Sequence, residues 1–161
     1  MIPLWTSAQV EHVTQGRSSG EWIASGVSID SRTLEDGDLF VALQGPNFEG
    51  HDFVSDALSR GAAAAIVDKD NEGSIVKVED TLIALEDLGR AARERTGATI
   101  IAVTGSVGKT GSKDALKFAL SRQSKTSANT GTLNNHLGVP LSLSRMPANT
   151  AYGIFELGMN H

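Results

Sequence analysis

At 161 residues the chain has room for one ordinary domain or two small ones, and 40% apolar residues suffice to build a core. Its 14 basic and 19 acidic side chains leave a formal charge of −5 with no strongly basic window, which argues against nucleic acid as a partner. The chain has no cysteine, so disulfides, thiolate zinc sites and cysteine nucleophiles are excluded; with no leader-like start and no apolar run near the ~20 residues that span a bilayer, a cytoplasmic monomer without membrane insertion is expected.

In chain order, Thr6 or Ser7 is placed to cap a short helix over residues 8–13, and a polar loop follows at 15–20. Residues 27–29 read as a strand leading into Asp30-Ser31-Arg32-Thr33. After a turn at Glu35-Asp36-Gly37, residues 38–43 (DLFVAL) read as a second strand. Beyond the turn at Gly45-Pro46-Asn47, helical spacing over 51–60 puts Phe53, Ala57 and Leu58 on one face, and Gly61 suits a C-terminal cap. Two more strands are expected at 62–67 and 75–78, joined by a turn at 70–73. Asp80 then caps a long helix in which Leu82, Leu85, Leu88 and Ala92 recur at helical spacing, ending before Gly97. The change of pattern places a domain boundary near Glu79, dividing the chain into 1–79 and 80–161.

Residues 99–113, TIIAVTGSVGKTGSK, carry the clearest chemistry. The β-branched and apolar run 99–103 predicts a buried strand, which breaks at Thr104-Gly105 and enters a glycine-punctuated turn ending Gly108-Lys109-Thr110. Such a turn lets successive backbone N–H groups of Thr104, Gly105, Ser106, Val107 and Gly108 converge on phosphate oxygens. The following helix presents its positive end, Lys109 adds a point charge and Thr110 a hydroxyl for Mg²⁺. The first glycine comes later than in the general phosphate-loop pattern, and a glycine turn that binds nothing is the bland alternative. A helix over 112–121 should bury Leu116, Phe118, Ala119 and Leu120. A strand at 125–128, an Asn- and Gly-rich loop at 129–135, an apolar helix start at 137–143 and a strand at 152–157 complete the chain. Alternating strands and helices predict an α/β fold: a small α/β domain, then a phosphate-loop domain with a mainly parallel sheet.

The stretches DSRTLEDGDLFVALQGPNFEGHDF, AVTGSVGKTGSK, NTGTLNNHLGVPLSL and FELGMNH, in this order and spacing, resemble the Mur ligase family of peptidoglycan synthesis over nearly the whole chain. The paired Asn134-Asn135 in LNNHLGVP is similar to the MurF branch, which joins D-alanyl-D-alanine to UDP-N-acetylmuramoyl-tripeptide. The Thr-Thr-Pro element typical of the diamino-acid-adding (MurE-type) branch is missing. The resemblance implies ATP and Mg²⁺ as cofactors: a substrate carboxylate is phosphorylated, and an amine attacks the acyl phosphate to form an amide. It assigns Thr104, Gly105, Ser106, Val107, Gly108, Lys109 and Thr110 to ATP, Lys109 and Glu156 to catalysis, and Thr110 and Glu156 to the metal. It gives the UDP-substrate Ile29, Ser31, Arg32, Pro46, Asn47, Phe48, Asn134 and Asn135.

Each assignment has a plainer counterpart. Glu156 follows Ile154-Phe155 at a strand end, where ligands of open α/β sheets gather, but a solvated carboxylate fits there too. Ser31 and Pro46-Asn47 suit ordinary turn chemistry as well as a uracil edge, and Arg32 can pair with a phosphate or with Asp30 or Asp36. Asn134 and Asn135 can hold substrate or cap their own loop; His136 can be a contact or a solvated residue, and His51 a ligand or a helix cap. His161 is not expected to bind metal. Family members are considerably longer, so the chain reads as a fragment that should bind a UDP-type ligand without ligating. A generic phosphate-loop nucleotide hydrolase and a non-catalytic nucleotide-sugar-binding module are the readings from other classes.

Overall fold

The computed structural model describes residues 3–45, 48–129 and 137–158. It forms two compact units, Met1–Leu88 and Gly89–His161. Of the candidates above, Pro46, Asn47, Asn134, Asn135, His136 and His161 lie outside the described residues.

The first unit opens with β1 (Trp5–Thr6) and α1 (Ser7–Thr14). The α1 helix starts there because Thr6 and Gln9 form a reciprocal capping box, each side chain accepting from the other's backbone N–H. Then come β2 (Arg17–Ser18), β3 (Ile23–Ala24), β4 (Gly26–Ser28), β5 (Asp38–Val41), β6 (Gln44–Gly45), β7 (Phe48–Glu49), a 3-10 turn (Gly50–Phe53), α2 (Val54–Ser59), β8 (Ala64–Val67) and β9 (Ile75–Lys77). Five strands make one sheet in the order β2-β9-β8-β5-β4, parallel except at β2. All four residues of β5 and all four of β8 are buried, as expected for central strands of a parallel sheet covered on both faces. On one face Phe40, Ala42, Ala65 and Val67 pack with Val54 and Ala57 of α2.

The expected face of this helix is corrected. Phe53 is exposed, and Val54 occupies the buried position. The 3-10 turn explains the shift, because its tighter winding rotates Phe53 out before the α-helix begins. Glu49, not His51, caps that turn by accepting from the His51 N–H. Helix α3 (Thr81–Glu94) is capped by Asp80, whose carboxylate accepts from the N–H groups of Leu82 and Ile83. Leu85, Leu88 and Ala92 are buried as the spacing predicts.

The second unit contains β10 (Thr99–Val103), α4 (Lys109–Leu120), β11 (Thr126–Ala128), α5 (Gly138–Ser144) and β12 (Tyr152–Glu156). All pairings are parallel, in the order β10-β12-β11. The last strand in sequence is therefore the middle strand of the sheet. Strand β10 is only half-buried, with Thr99 and Ala102 exposed, against the buried strand expected from its composition. Its β-branched run reflects strand propensity at the sheet's margin, where one edge is unpaired among the described residues. Helix α4 also departs from expectation: Phe118 and Ala119 are exposed, Leu116 and Leu120 half-buried, and Lys113 is the buried residue. Phe118 lies instead beneath the Arg122 guanidinium, 4.6 Å from the ring centre.

Candidate functional site

Parallel pairing brings the carboxyl ends of the three strands of the second unit together. Val103, the last residue of β10, sits opposite Glu156, the last of β12. The Leu157 N–H donates to the Val103 carbonyl at 2.9 Å, so the loop leaving β10 starts beside Glu156. On the other side, β11 ends at Ala128 opposite Ile154, and the Asn129 N–H donates to the Ile154 carbonyl at 3.2 Å. This is the crevice in which open α/β sheets bind ligands.

The loop over 104–108 needs its glycines. Gly105 has φ +145° and Gly108 has φ +76°, in the left-handed half of backbone space that side chains disfavour. No atom lies within 4 Å of a Cβ built on Gly108, so its requirement is conformational and its surroundings open. Gly108 is also the residue before α4 and carries no side chain to cap the first-turn N–H groups of that helix. Donors of this kind, together with the helix dipole, suit an anion. Thr104, Ser106 and Val107 are exposed beside it, Val107 to 89%. The Lys109 ammonium folds back to donate to the Gly105 carbonyl at 2.5 Å, holding its charge over the loop.

Thr110, Lys113 and Glu156 meet next to this loop. The exposed Thr110 hydroxyl donates to Glu156 Oε2 at 3.0 Å, and the Lys113 ammonium stands 3.9 Å from the same oxygen. Hydroxyl and carboxylate oxygens are the hard donors that Mg²⁺ prefers, and Mg²⁺ is usually held by one or two carboxylates with substrate phosphates and water. The pair fits that role. Among the described residues there is no group of three or more His, Cys, Asp or Glu that could hold an ion by itself.

The other candidates lie in the first unit. Ile29 and Ser31 follow β4, half-buried and buried respectively. The Ser31 hydroxyl bonds to the Asp56 carboxylate, which also takes the Arg60 guanidinium at 2.9 Å; Arg60 first and Ser31 second hold the Asp56 pKa below its usual value. The turn belongs to Asp30, whose carboxylate accepts from the Arg32 N–H at 3.0 Å. Asp30 also pairs with the Arg32 guanidinium at 2.6 Å, which lowers the Asp30 pKa. Phe48 is half-exposed on β7, its ring against Gly45 of the paired β6. Sequence reasoning missed the group behind this hairpin. His51 is buried between two carboxylates, with Nδ1 2.5 Å from Glu49 Oε1 and Nε2 3.0 Å from Asp68 Oδ1. Lys69 also pairs with Glu49, and Lys69 and then His51 push the Glu49 pKa down to about 2.

A sequence profile of the Mur ligase family, catalytic domain, matches residues 24–105, and one of the Mur ligase middle domain matches 103–161. The chain belongs to the Mur ligase family. It is 40% identical to the UDP-N-acetylmuramoyl-tripeptide–D-alanyl-D-alanine ligase of Rickettsia prowazekii (strain Madrid E), covering 98% of this chain and 36% of the relative. The ligase of the same name from Escherichia coli (strain K12) is 36% identical, over 97% of this chain and 35% of the relative. A crystal structure of MurF from Acinetobacter baumannii superposes with a TM-score of 0.84 at 38% identity, over 100% of this chain and 36% of that one. MurF ligase from Thermotoga maritima in complex with ADP gives a TM-score of 0.64 at 32% identity, over 81% and 31%. The chain thus spans about a third of the length of these Mur ligases. Among the described residues, no helix is long and apolar enough to cross a membrane.

Proposed function

We propose that this chain is the amino-terminal part of a MurF-type ligase that uses ATP to join D-alanyl-D-alanine to UDP-N-acetylmuramoyl-tripeptide in the cytoplasm, as a monomer. The observation that carries the reading is the meeting of Thr110 and Glu156 at 3.0 Å beside a glycine loop on a helix N-terminus. In this reading residues 80–161 begin the ATP-binding domain. The backbone N–H groups of 104–108 cradle the phosphates and Lys109 neutralises charge as the γ-phosphoryl group passes to the substrate carboxylate and ADP leaves. The amine then attacks the acyl carbon, phosphate departs and the amide forms. Thr110 and Glu156 would hold Mg²⁺, which supplies charge neutralisation at the phosphates. Phosphoryl transfer asks little else of a protein than positioning and electrostatics, and these residues provide both.

Residues 1–79 hold the UDP moiety in the same reading, through Ile29, Ser31, Arg32, Pro46, Asn47 and Phe48, and Asn134 and Asn135 are given to the same UDP-substrate. Arg32 is exposed, and its present partner is an aspartate two residues away, so a diphosphate can take over that guanidinium at small cost. The test is phosphate release by the full-length protein with ATP and Mg²⁺, adding UDP-N-acetylmuramoyl-tripeptide and D-alanyl-D-alanine singly and together. Release only with both supports the ligase. Release indifferent to both would reduce the protein to a nucleotide hydrolase.

A further inference from the structure

Asn129 and Lys113 are buried polar residues for which the phosphate site has no direct use, exposed to only 6% and 5%. The Asn129 side chain holds both backbone groups of Glu156: its Oδ1 accepts from the Glu156 N–H at 2.9 Å, and its Nδ2 donates to the Glu156 carbonyl at 3.3 Å. An amide side chain thereby continues the β11–β12 ladder beyond its last backbone pair, Ala128 with Ile154. Glu156 is paired with Val103 on its other side, so its backbone is gripped from both neighbouring strands. Asn129 is itself anchored, because the buried Lys113 ammonium donates to its carbonyl at 3.0 Å.

We propose that Asn129, anchored by Lys113, is a positioning residue that fixes Glu156 for metal binding. With the Glu156 backbone pinned, only its side-chain torsions remain, and Thr110 and Lys113 restrict where the carboxylate can point. A hydrogen-bonded amide is an effective pin here because Asn129, Lys113 and Glu156 are all buried. Each group it satisfies would otherwise be a buried, unpaired donor or acceptor. Outer-shell partners of this kind typically change metal affinity by 10–100-fold when removed. The proposal rests on Glu156 as a metal ligand.

The experiment measures Mn²⁺ affinity by electron paramagnetic resonance in the presence of ADP, and ADP affinity without metal, on the full-length protein and on Asn129→Ala and Glu156→Gln. Asn129→Ala is expected to weaken Mn²⁺ binding about tenfold while leaving metal-free ADP affinity unchanged, since the phosphate loop is untouched. If Glu156→Gln binds Mn²⁺ like the parent, the metal-ligand reading itself fails. If Glu156→Gln loses Mn²⁺ but folded Asn129→Ala does not, the positioning role is overturned. A crystal structure of the parent with Mg²⁺ and ADP decides the matter independently of any variant's folding. Both Asn129–Glu156 hydrogen bonds should persist with the carboxylate turned to the metal, and their absence would refute the proposal.

Discussion

The Thr110 hydroxyl and the Glu156 carboxylate meet at 3.0 Å although they lie 46 positions apart, one on the first turn of a helix and the other at the end of the central strand. Thr110→Val keeps the shape and removes the oxygen. Mn²⁺ affinity in the presence of ADP is expected to fall at least the tenfold typical of losing an outer-shell partner. Because the lost hydroxyl is a hydrogen-bond donor to the buried Glu156 carboxylate, urea unfolding should show a loss of about 1–3 kcal/mol.

Lys109 holds its charge over the loop by donating to the Gly105 carbonyl. Lys109→Ala should lower kcat for substrate-dependent phosphate release by roughly 10²–10³, the usual effect of removing one preorganised transition-state contact. A steady-state assay on the full-length protein with saturating substrates reads this directly.

Glu49 gives a pH signature in the first unit. Lys69 and His51 depress its pKa from 4.5 to about 2, so the folded state releases this proton more readily than the unfolded chain. The resulting stabilisation is fully present above pH 4.5 and disappears as pH falls toward 2. Carboxyl ¹³C titration should place the Glu49 midpoint near 2, and Lys69→Met should move it up toward the ordinary range.

Gly50 and Gly20 should respond oppositely to alanine. A Cβ on Gly50 would stand 2.4 Å from the Leu43 carbonyl oxygen and 2.7 Å from the Ala42 carbonyl carbon, both backbone atoms that cannot step aside. Gly50→Ala is expected to destabilise by about 1–3 kcal/mol. Gly20 has nothing within 4 Å of that position, and its alanine variant should be neutral or more stable by up to about 1 kcal/mol. Chemical denaturation of the two variants checks both.

The strand, glycine loop and helix at 99–120 were legible because their signals are local: a strand, two glycines, a lysine and a threonine within a dozen positions. The inward face of that helix was misread for an equally physical reason. Counting apolar residues puts Phe118 and Ala119 inside, whereas the inward stripe is Lys109, Lys113, Leu116 and Leu120, spaced at four, three and four. Two of its members are lysines because that end of the helix faces the phosphate loop and the ends of β11 and β12. The i+4 spacing from Lys109 and the i−3 spacing from Leu116 were the available signals for Lys113. Asn129 had none. Its partner is 27 positions away, and an asparagine opening a loop looks the same in sequence whether it caps that loop or clamps a strand. His51 likewise depended on Asp68, 17 positions distant.

The placement of β12 between β10 and β11 ties assembly of the site to the pairing of that strand. Among the described residues β10 and β11 do not pair with each other, so each has an edge that β12 fills. The strand that closes those edges also delivers Glu156 to Thr110 and to the Asn129 amide. Pairing of β12 with both neighbours therefore leaves no separate step for bringing the carboxylate into place.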